Sequence, residues 1–269
     1  MNRRLLALLI GSLLLLGSGT GRGADANPFQ GGHWVDLTHD FSPDTLYWPT
    51  ASGFVLESEF KGITPKGFFY AANRYRASEH GGTHLDSPIH FARERQTVDQ
   101  IPLDRLTGSA VVVDVSPATE GKPDYQISVA DLQAWESRNG LIPADAIVLL
   151  RTGHSRFWPD AEKYLGTAEK GPEAVAKLHF PGLHPDAARW LASERRIKAV
   201  GIDTASIDFG QSTLFESHRA LFERNIPAFE NVAGLESLPA QGAYVVAQPM
   251  KIKGGSGAPL RIAAWVPGR

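Results

Sequence analysis

The stretch that most constrains the fold of this chain is residues 79–90, EHGGTHLDSPIH, where three histidines and one aspartate lie within eleven residues. His80, His84 and Asp86 all occupy even positions, as does Gly82 between the two histidines. Because alternate residues of an extended backbone share a face, these three polar side chains would point the same way. The glycine pair, the β-branched threonine and the proline disfavour a helix. The pattern therefore predicts a strand or a taut loop.

Imidazole and carboxylate groups together form the ligand set that proteins use for zinc, manganese or iron. Single histidines in a loop are more often ordinary surface residues than ligands. Here, three histidines and an aspartate all lie at even positions around Gly-Gly-Thr. This shared spacing favours a metal half-site over ordinary surface residues. Such a half-site needs further ligands from elsewhere in the chain.

The first residues have the composition of a secretory signal peptide. A short basic start, Asn2–Arg4, precedes an apolar run over residues 5–16, and residues 24–26 (ADA) form a small-x-small cleavage signature. We therefore predict a signal peptide over residues 1–26, a single mature domain over residues 27–269, and a periplasmic or secreted protein. The absence of cysteine from the sequence excludes disulfides and thiolate ligands.

The charge and hydropathy of the chain limit the kinds of molecule that it is expected to bind. The chain has 27 basic and 29 acidic residues, with no basic block, so nucleic acid is not an expected partner. The apolar run near the N-terminus is short for a membrane span, and no membrane association is expected once the signal is removed.

The mature chain predicts a single compact α/β domain with a mixed β-sheet flanked by helices. Largely apolar runs such as residues 109–115 and 146–151 are typical of strands that are buried on both faces. The predicted strands are 33–37, 53–59, 68–76, 109–115, 146–151, 199–202, 243–247 and 261–266. The predicted helices are 128–137, 184–195 and 213–224, and the last of these begins with a capping box formed by Thr213 and Glu216.

The missing ligands are expected in the C-terminal half. Residues 203–212 leave the end of a predicted buried strand, where α/β proteins usually place their chemistry. His218 lies in the last predicted helix, and Glu230 follows a turn at residues 226–227. A helix followed by a returning segment would bring the imidazole and the carboxylate together.

These residues resemble the metal-dependent cyclase family, which includes bacterial kynurenine formamidases and isatin hydrolases. Residues 80–90 are similar to the family signature HxGTHxDxPxH. Further similarity spreads over most of the mature chain, at residues 35–39 (VDLTH), 151–153 (RTG), 203–210 (DTASIDFG) and 218–232.

The resemblance implies roles for individual residues. It implies that His80, His84 and Asp86 are metal ligands, that His218 and Glu230 complete a second metal position with Asp86 as a possible bridge, and that His90 is the catalytic acid/base. The expected cofactor is a divalent metal, Mn²⁺ or Zn²⁺, as one or two ions. The family usually assembles as dimers or tetramers, so a homodimer or homotetramer is expected.

The expected activity is hydrolysis of a C–N amide bond by metal-activated water, on a small aromatic substrate with an isatin-like cyclic amide. An arylformamidase acting on N-formylkynurenine is the alternative, as are a lactonase or dehydratase and, in another class, a non-catalytic periplasmic metal-binding protein. The predicted substrate-binding residues are Trp48, Phe68, Phe69, Ser206, Gln211 and Ser212.

Overall fold

The computed structural model describes residues 29–268, so the predicted signal peptide lies outside the described residues. The strands are β1 (Gly32–Asp36), β2 (Val55–Ile63), β3 (Phe69–Arg76), β4 (His84–Asp86), β5 (Thr107–Asp114), β6 (Gln126–Ile127), β7 (Ile147–Arg151), β8 (Gly182–Leu183), β9 (Ala199–Ile202), β10 (Ala228–Glu230), β11 (Gln241–Pro249) and β12 (Gly257–Pro267). The α-helices are α1 (Leu103–Leu106), α2 (Ser116–Thr119), α3 (Val129–Asn139), α4 (Ala161–Leu165), α5 (Pro172–Val175), α6 (Pro185–Trp190) and α7 (Glu216–Phe222).

The main sheet is mixed, which confirms the predicted α/β class. Its eight strands follow the order β1-β12-β11-β5-β7-β9-β10-β4. Strands β5, β7, β9 and β10 are parallel neighbours, and the other pairings are antiparallel. Because β4 also pairs with the start of β12, all strands of this sheet except β1 close into a barrel-like ring.

The central strands are apolar on both faces because each face covers a different core. In β5, Val111 and Val113 pack into one buried cluster, whereas Val112 packs into a second on the opposite side of the sheet. Helices α3, α6 and α7 supply side chains such as Trp135 to the first cluster. The prediction of strands buried on both faces is therefore confirmed.

Two of the predicted helix starts are confirmed and the third is wrong. Helix α3 begins after Ser128, which forms a capping box with Asp131, and α6 begins after His184. Helix α7 begins at Glu216, and the expected capping box does not form. The residue before the helix is Phe215, in a left-handed conformation with φ 48° and ψ 45° and no side-chain cap. The backbone turn at this residue starts the helix at Glu216, two residues after the first helical position that a cap at Thr213 would give.

Strands β2 and β3 form a separate antiparallel hairpin outside the main sheet. The hairpin exposes most of its large apolar side chains, which are Leu56, Phe60, Ile63, Phe69, Tyr70 and Tyr75, together with Phe68 in the turn. Within the described part of the chain, no helix has the length and apolar character required to cross a membrane.

Strand pairing at the end of the sheet brings the two predicted ligand regions together. Strand β10 runs parallel to β9 and antiparallel to β4. In this register, Glu230 lies opposite His84, and Ala228 lies opposite Asp86. The short strand β4 is thereby held between β10 and β12, with the carboxylate and imidazole side chains gathered at one place.

Candidate metal centre

The histidine-rich segment is only partly a strand, because the regular extended backbone covers residues 84–86 alone. Gly82 has φ +58°, which only glycine adopts freely, so the chain turns between the first two histidines. A Cβ on Gly81 would lie 2.0 Å from the Tyr47 ring, and one on Gly82 would lie 2.7 Å from the Phe41 ring. The two glycines are therefore required for close packing against aromatic side chains.

The five predicted ligands converge. Asp86 approaches three imidazoles, with distances of 2.6 Å to His80 Nδ1, 3.1 Å to His84 Nε2 and 3.2 Å to His218 Nε2. Glu230 approaches two of the same imidazoles, at 3.4 Å from His84 Nε2 and 3.1 Å from His218 Nε2. These residues come from three separate segments, and the helix and returning strand bring His218 and Glu230 together as expected.

The ligand atoms form two triads that share Asp86. One triad is His80, His84 and Asp86, and the other is Asp86, His218 and Glu230, with all atoms of each triad within 4.8 Å of one another. This arrangement is what a bridging carboxylate between two ions requires, and either triad could hold a single ion.

The burial and charge of the two carboxylates in this cluster are suited to binding a cation. Asp86 is 1 % exposed and Glu230 is 4 % exposed, so two carboxylates are buried side by side. Burial and the neighbouring charge of Asp86 raise the pKa of Glu230. Burial opposes ionisation of Asp86 as well, but His80 and His218 hold its pKa well below the usual range. A divalent ion would neutralise both carboxylates, and the nitrogen and oxygen donor set suits zinc or manganese.

Each imidazole is held in place through its second ring nitrogen. His218 Nδ1 lies 2.6 Å from Asp208, and His84 Nδ1 lies 3.0 Å from the carbonyl oxygen of Gly82. His80 Nε2 lies 2.9 Å from Ser256 Oγ. Such contacts fix the tautomer and the ring orientation of metal-binding histidines. Burial opposes protonation of His218, yet its hydrogen bonds to Asp208 and Asp86 raise its pKa well above the usual value.

His90 lies beside the cluster without joining either triad. It ends the single 3₁₀ turn Pro88–His90, and its ring stacks on His80 with centroids 3.9 Å apart. The ring is accessible from the cavity, but the surrounding walls desolvate it and lower its pKa to about 4. His90 is therefore neutral at pH 7, as a proton acceptor must be.

A cavity of about 390 Å³ opens above the cluster. Its lining includes the five ligand residues and His90, together with Trp48, Phe91, Phe215 and Ser206. The predicted substrate-binding residues Trp48 and Ser206 therefore lie where a ligand would contact them. The volume suits a small molecule.

The other predicted substrate-binding residues lie elsewhere. Phe68 and Phe69 are 55 % and 61 % exposed in the β2–β3 hairpin, and neither lines this cavity. The Gln211 side-chain amide donates to the backbone carbonyl of Leu178, and Ser212 Oγ donates to Asp208 Oδ1. Closeness in sequence to the histidine motif misplaced the two phenylalanines, because the hairpin carries them away from the main sheet.

Several residues at the site were not predicted. Asp208 lies in the segment 203–212 that the sequence pattern indicated, but its contact with His218 depends on the tertiary fold. Phe91 directly follows His90, and Phe215 lies three residues before His218, so closeness to the ligands was the available signal for both. Asn231 follows Glu230 and donates to the carbonyl oxygen of Gly82.

Comparison with known proteins decides the family. A family profile described as "Putative cyclase" matches residues 35–209. The chain belongs to this Cyclase family. An isatin hydrolase of Roseibium aggregatum is 32% identical over 87% of the chain and 91% of its own length. A kynurenine formamidase of Salinibacter ruber is 28% identical over 84% of the chain and 94% of its own length.

Solved structures agree with the sequence comparison. Isatin hydrolase A of Ralstonia solanacearum superimposes with a TM-score of 0.78 at 35% identity, over 87% of this chain and 92% of that one. Isatin hydrolase A of Labrenzia aggregata gives a TM-score of 0.78 at 33% identity, over 87% and 93% of the two chains. The resemblance inferred from the sequence motifs is confirmed, as is the fold class.

Proposed function

We propose that this Cyclase-family protein is a metal-dependent hydrolase that opens the amide ring of an aryl-fused cyclic amide such as isatin. The observation that carries the proposal is the convergence of three imidazoles and two carboxylates beneath an aromatic-walled cavity. The similarity to isatin hydrolases over most of the chain supports the substrate class.

The residues that would hold the metal are His80, His84 and Asp86 for one ion, and Asp86, His218 and Glu230 for a second. We propose Zn²⁺ or Mn²⁺, because both accept imidazole and carboxylate ligands. When bound, such an ion acts as a Lewis acid and lowers the pKa of a bound water molecule to about 7.

The chain's own contribution is to position groups and to move a proton. His90 is neutral, lines the cavity and stacks on His80, so its imidazole can accept the proton of the attacking water and return it to the leaving amide nitrogen. Asp208 and Ser256 orient His218 and His80. The apolar walls hold the flat substrate and reduce its contact with water.

Arylformamidase activity is the second candidate within the same chemistry. Kynurenine formamidases match 84–85% of the chain at 25–28% identity, compared with 87% of the chain for the isatin hydrolase of Roseibium aggregatum. The proposed export weakens this alternative, because tryptophan catabolism normally takes place in the cytoplasm. A metal-binding protein without catalysis has no evident need for His90 or for the adjoining cavity.

We further propose that the protein is exported and that it assembles as a homo-oligomer. The basic start, apolar run and small-x-small site of residues 1–26 support a cleaved signal and a periplasmic or secreted location. The exposed apolar side chains of the β2–β3 hairpin support assembly as a homodimer or homotetramer.

The test is to strip the purified protein of metal, reload it with Zn²⁺ or Mn²⁺, and measure hydrolysis of isatin and N-formylkynurenine side by side. We expect metal-dependent opening of isatin, with the faster metal identifying the better cofactor. Preference for N-formylkynurenine would assign the protein to formamidase activity. No turnover of either compound by a protein that binds metal tightly would contradict the proposed substrate class.

A further inference from the structure

The backbone conformation of Phe215 is unusual for its residue type. Its φ of 48° and ψ of 45° lie in the left-handed region, which bulky side chains rarely occupy. The residue that precedes a helix normally has an extended conformation and a short polar side chain. Two asparagines in the described part of the chain, Asn225 and Asn231, also have positive φ, but asparagine tolerates that region well.

Local hydrogen bonds hold the turn at Phe215 in place. The Phe215 N–H donates to Ser212 Oγ, and the Phe215 carbonyl accepts from Arg219 N–H. Ser212 Oγ in turn donates to Asp208, the carboxylate that accepts hydrogen bonds from the backbone N–H groups of Ser217 and His218. The strained residue is therefore built into the same network that positions His218.

Core packing does not account for the strain. The Phe215 ring is only partly buried, and it is not among the side chains of the buried cores in the described residues. Its ring neighbours all line the cavity: Phe91 at 4.9 Å and 29°, His218 at 6.1 Å, and Trp48 at 6.3 Å between centroids. The turn directs a partly exposed aromatic ring to the cavity wall beside the proposed ligand His218.

We propose that Phe215 is a specificity-determining residue whose ring, with that of Phe91, forms the surface on which the aromatic part of the substrate packs. This inference rests on the proposed function and adds the residue that selects a flat aryl group. Backbone strain of this kind persists where the surrounding structure enforces it, and it clusters at functional sites. Aromatic rings stack or meet edge to face, which favours a fused aromatic substrate over an aliphatic one.

Two substitutions separate the ring from the strain. Phe215→Leu keeps a large apolar side chain and the strained backbone but removes the aromatic face. Phe215→Asn removes the ring and places a residue that accepts the left-handed conformation. We expect both variants of the metal-loaded protein to raise KM for isatin by about tenfold or more, with kcat within about twofold of the unsubstituted chain.

The melting temperatures of the two variants distinguish a role in substrate binding from a purely structural role, because the two roles predict opposite orders of stability. Because strain is relieved only in Phe215→Asn, we expect this variant to melt at a temperature no lower than Phe215→Leu. If the ring served packing, the small polar asparagine would be clearly less stable than leucine. The matched control is Arg196→Asn, at an exposed residue with φ 50° outside the cavity, which should raise the melting temperature without changing KM.

An unchanged KM in both Phe215 variants would overturn the proposal, as would a melting temperature of Phe215→Asn well below that of Phe215→Leu. Failure of the proposed function is recognised separately, as absence of isatin turnover by the unsubstituted protein loaded with Zn²⁺ or Mn²⁺. In that case isatin binding is measured by calorimetry on the same proteins. Weaker binding in both Phe215 variants would still support the inference, and equal or absent binding would overturn it.

Discussion

At the base of the cavity, His84, Asp86, His218 and Glu230 are almost completely buried, whereas the neighbouring β2–β3 hairpin exposes most of its aromatic and aliphatic side chains. The hairpin ends only a few residues before the histidine motif. In both regions the usual distribution of polar and apolar groups is inverted.

The two inversions have different physical meanings. Buried ionisable groups are costly unless they are paired or hold an ion, so the cluster at the cavity base requires a specific arrangement of partners. Exposed apolar groups need no such arrangement, and a large exposed patch is typical of a surface that contacts another molecule. The contrast shows that the buried polar residues mark the candidate site, whereas the exposed aromatic residues of the hairpin do not line its cavity.

The largest effect is expected from Asp86→Ala, because this carboxylate belongs to both ligand triads. The variant should lose bound metal and reduce kcat/KM roughly 10³-fold or more. Metal analysis of the purified protein and kinetics with isatin provide the measurement. The control is Asp114→Ala, a carboxylate paired with Arg151 and 41 % exposed. Full metal occupancy in Asp86→Ala would contradict the bridging role.

His90→Ala should separate catalysis from metal binding within the same cluster. Metal content should stay at the level of the unsubstituted protein, because His90 belongs to neither triad. Loss of the proton acceptor should reduce kcat by about 10²–10⁴-fold. His179→Ala, at a surface histidine paired with Asp124, serves as the control. Unchanged turnover in the His90 variant would remove this residue from the mechanism.

Asp208→Asn tests whether the hydrogen bond between Asp208 and His218 orients this proposed metal ligand. Asp208 holds Nδ1 of His218, so the variant should weaken metal affinity by about 10–100-fold. Because Asp208 also accepts backbone N–H groups at the start of α7, some stability is expected to be lost too. Asp131→Asn removes a comparable helix-capping carboxylate at α3 and should lower stability without affecting metal affinity. Equal metal affinities in the two variants would argue against a positioning role.

The smallest catalytic effect is expected in the hairpin. Replacing Phe68 and Phe69 together with serine should leave kcat/KM for isatin within about twofold, because neither side chain lines the cavity. Trp48→Ser, at a cavity-lining residue, should raise KM. Light scattering on the hairpin variant tests the proposed assembly, since loss of a dimer or tetramer would connect the exposed patch with self-association. A rise in KM equal to that of Trp48→Ser would show that the hairpin reaches a substrate site.

Much of the fold could be predicted from local patterns. The apolar runs that became β5, β7 and β9 were evident because each strand is buried on both faces, and the helix starts at Ser128 and His184 follow from their own capping residues. Strand β10 was not predicted, and the segment that contains β4 was predicted only as a strand or a taut loop. Each strand has three residues, and its pairing partners come from distant parts of the chain.

By itself, the amino-acid sequence determined the α/β class, the five residues that converge, and the family to which the chain belongs. Those properties depend on residue types and on spacings within short segments. Tertiary structure alone decided that Asp86 lies between three imidazoles, that Asp208 holds His218, and that Phe215 rather than Phe68 faces the cavity. The reason is physical, because these contacts depend on strand register and on the left-handed turn at Phe215, and neither has a recognisable pattern in the sequence.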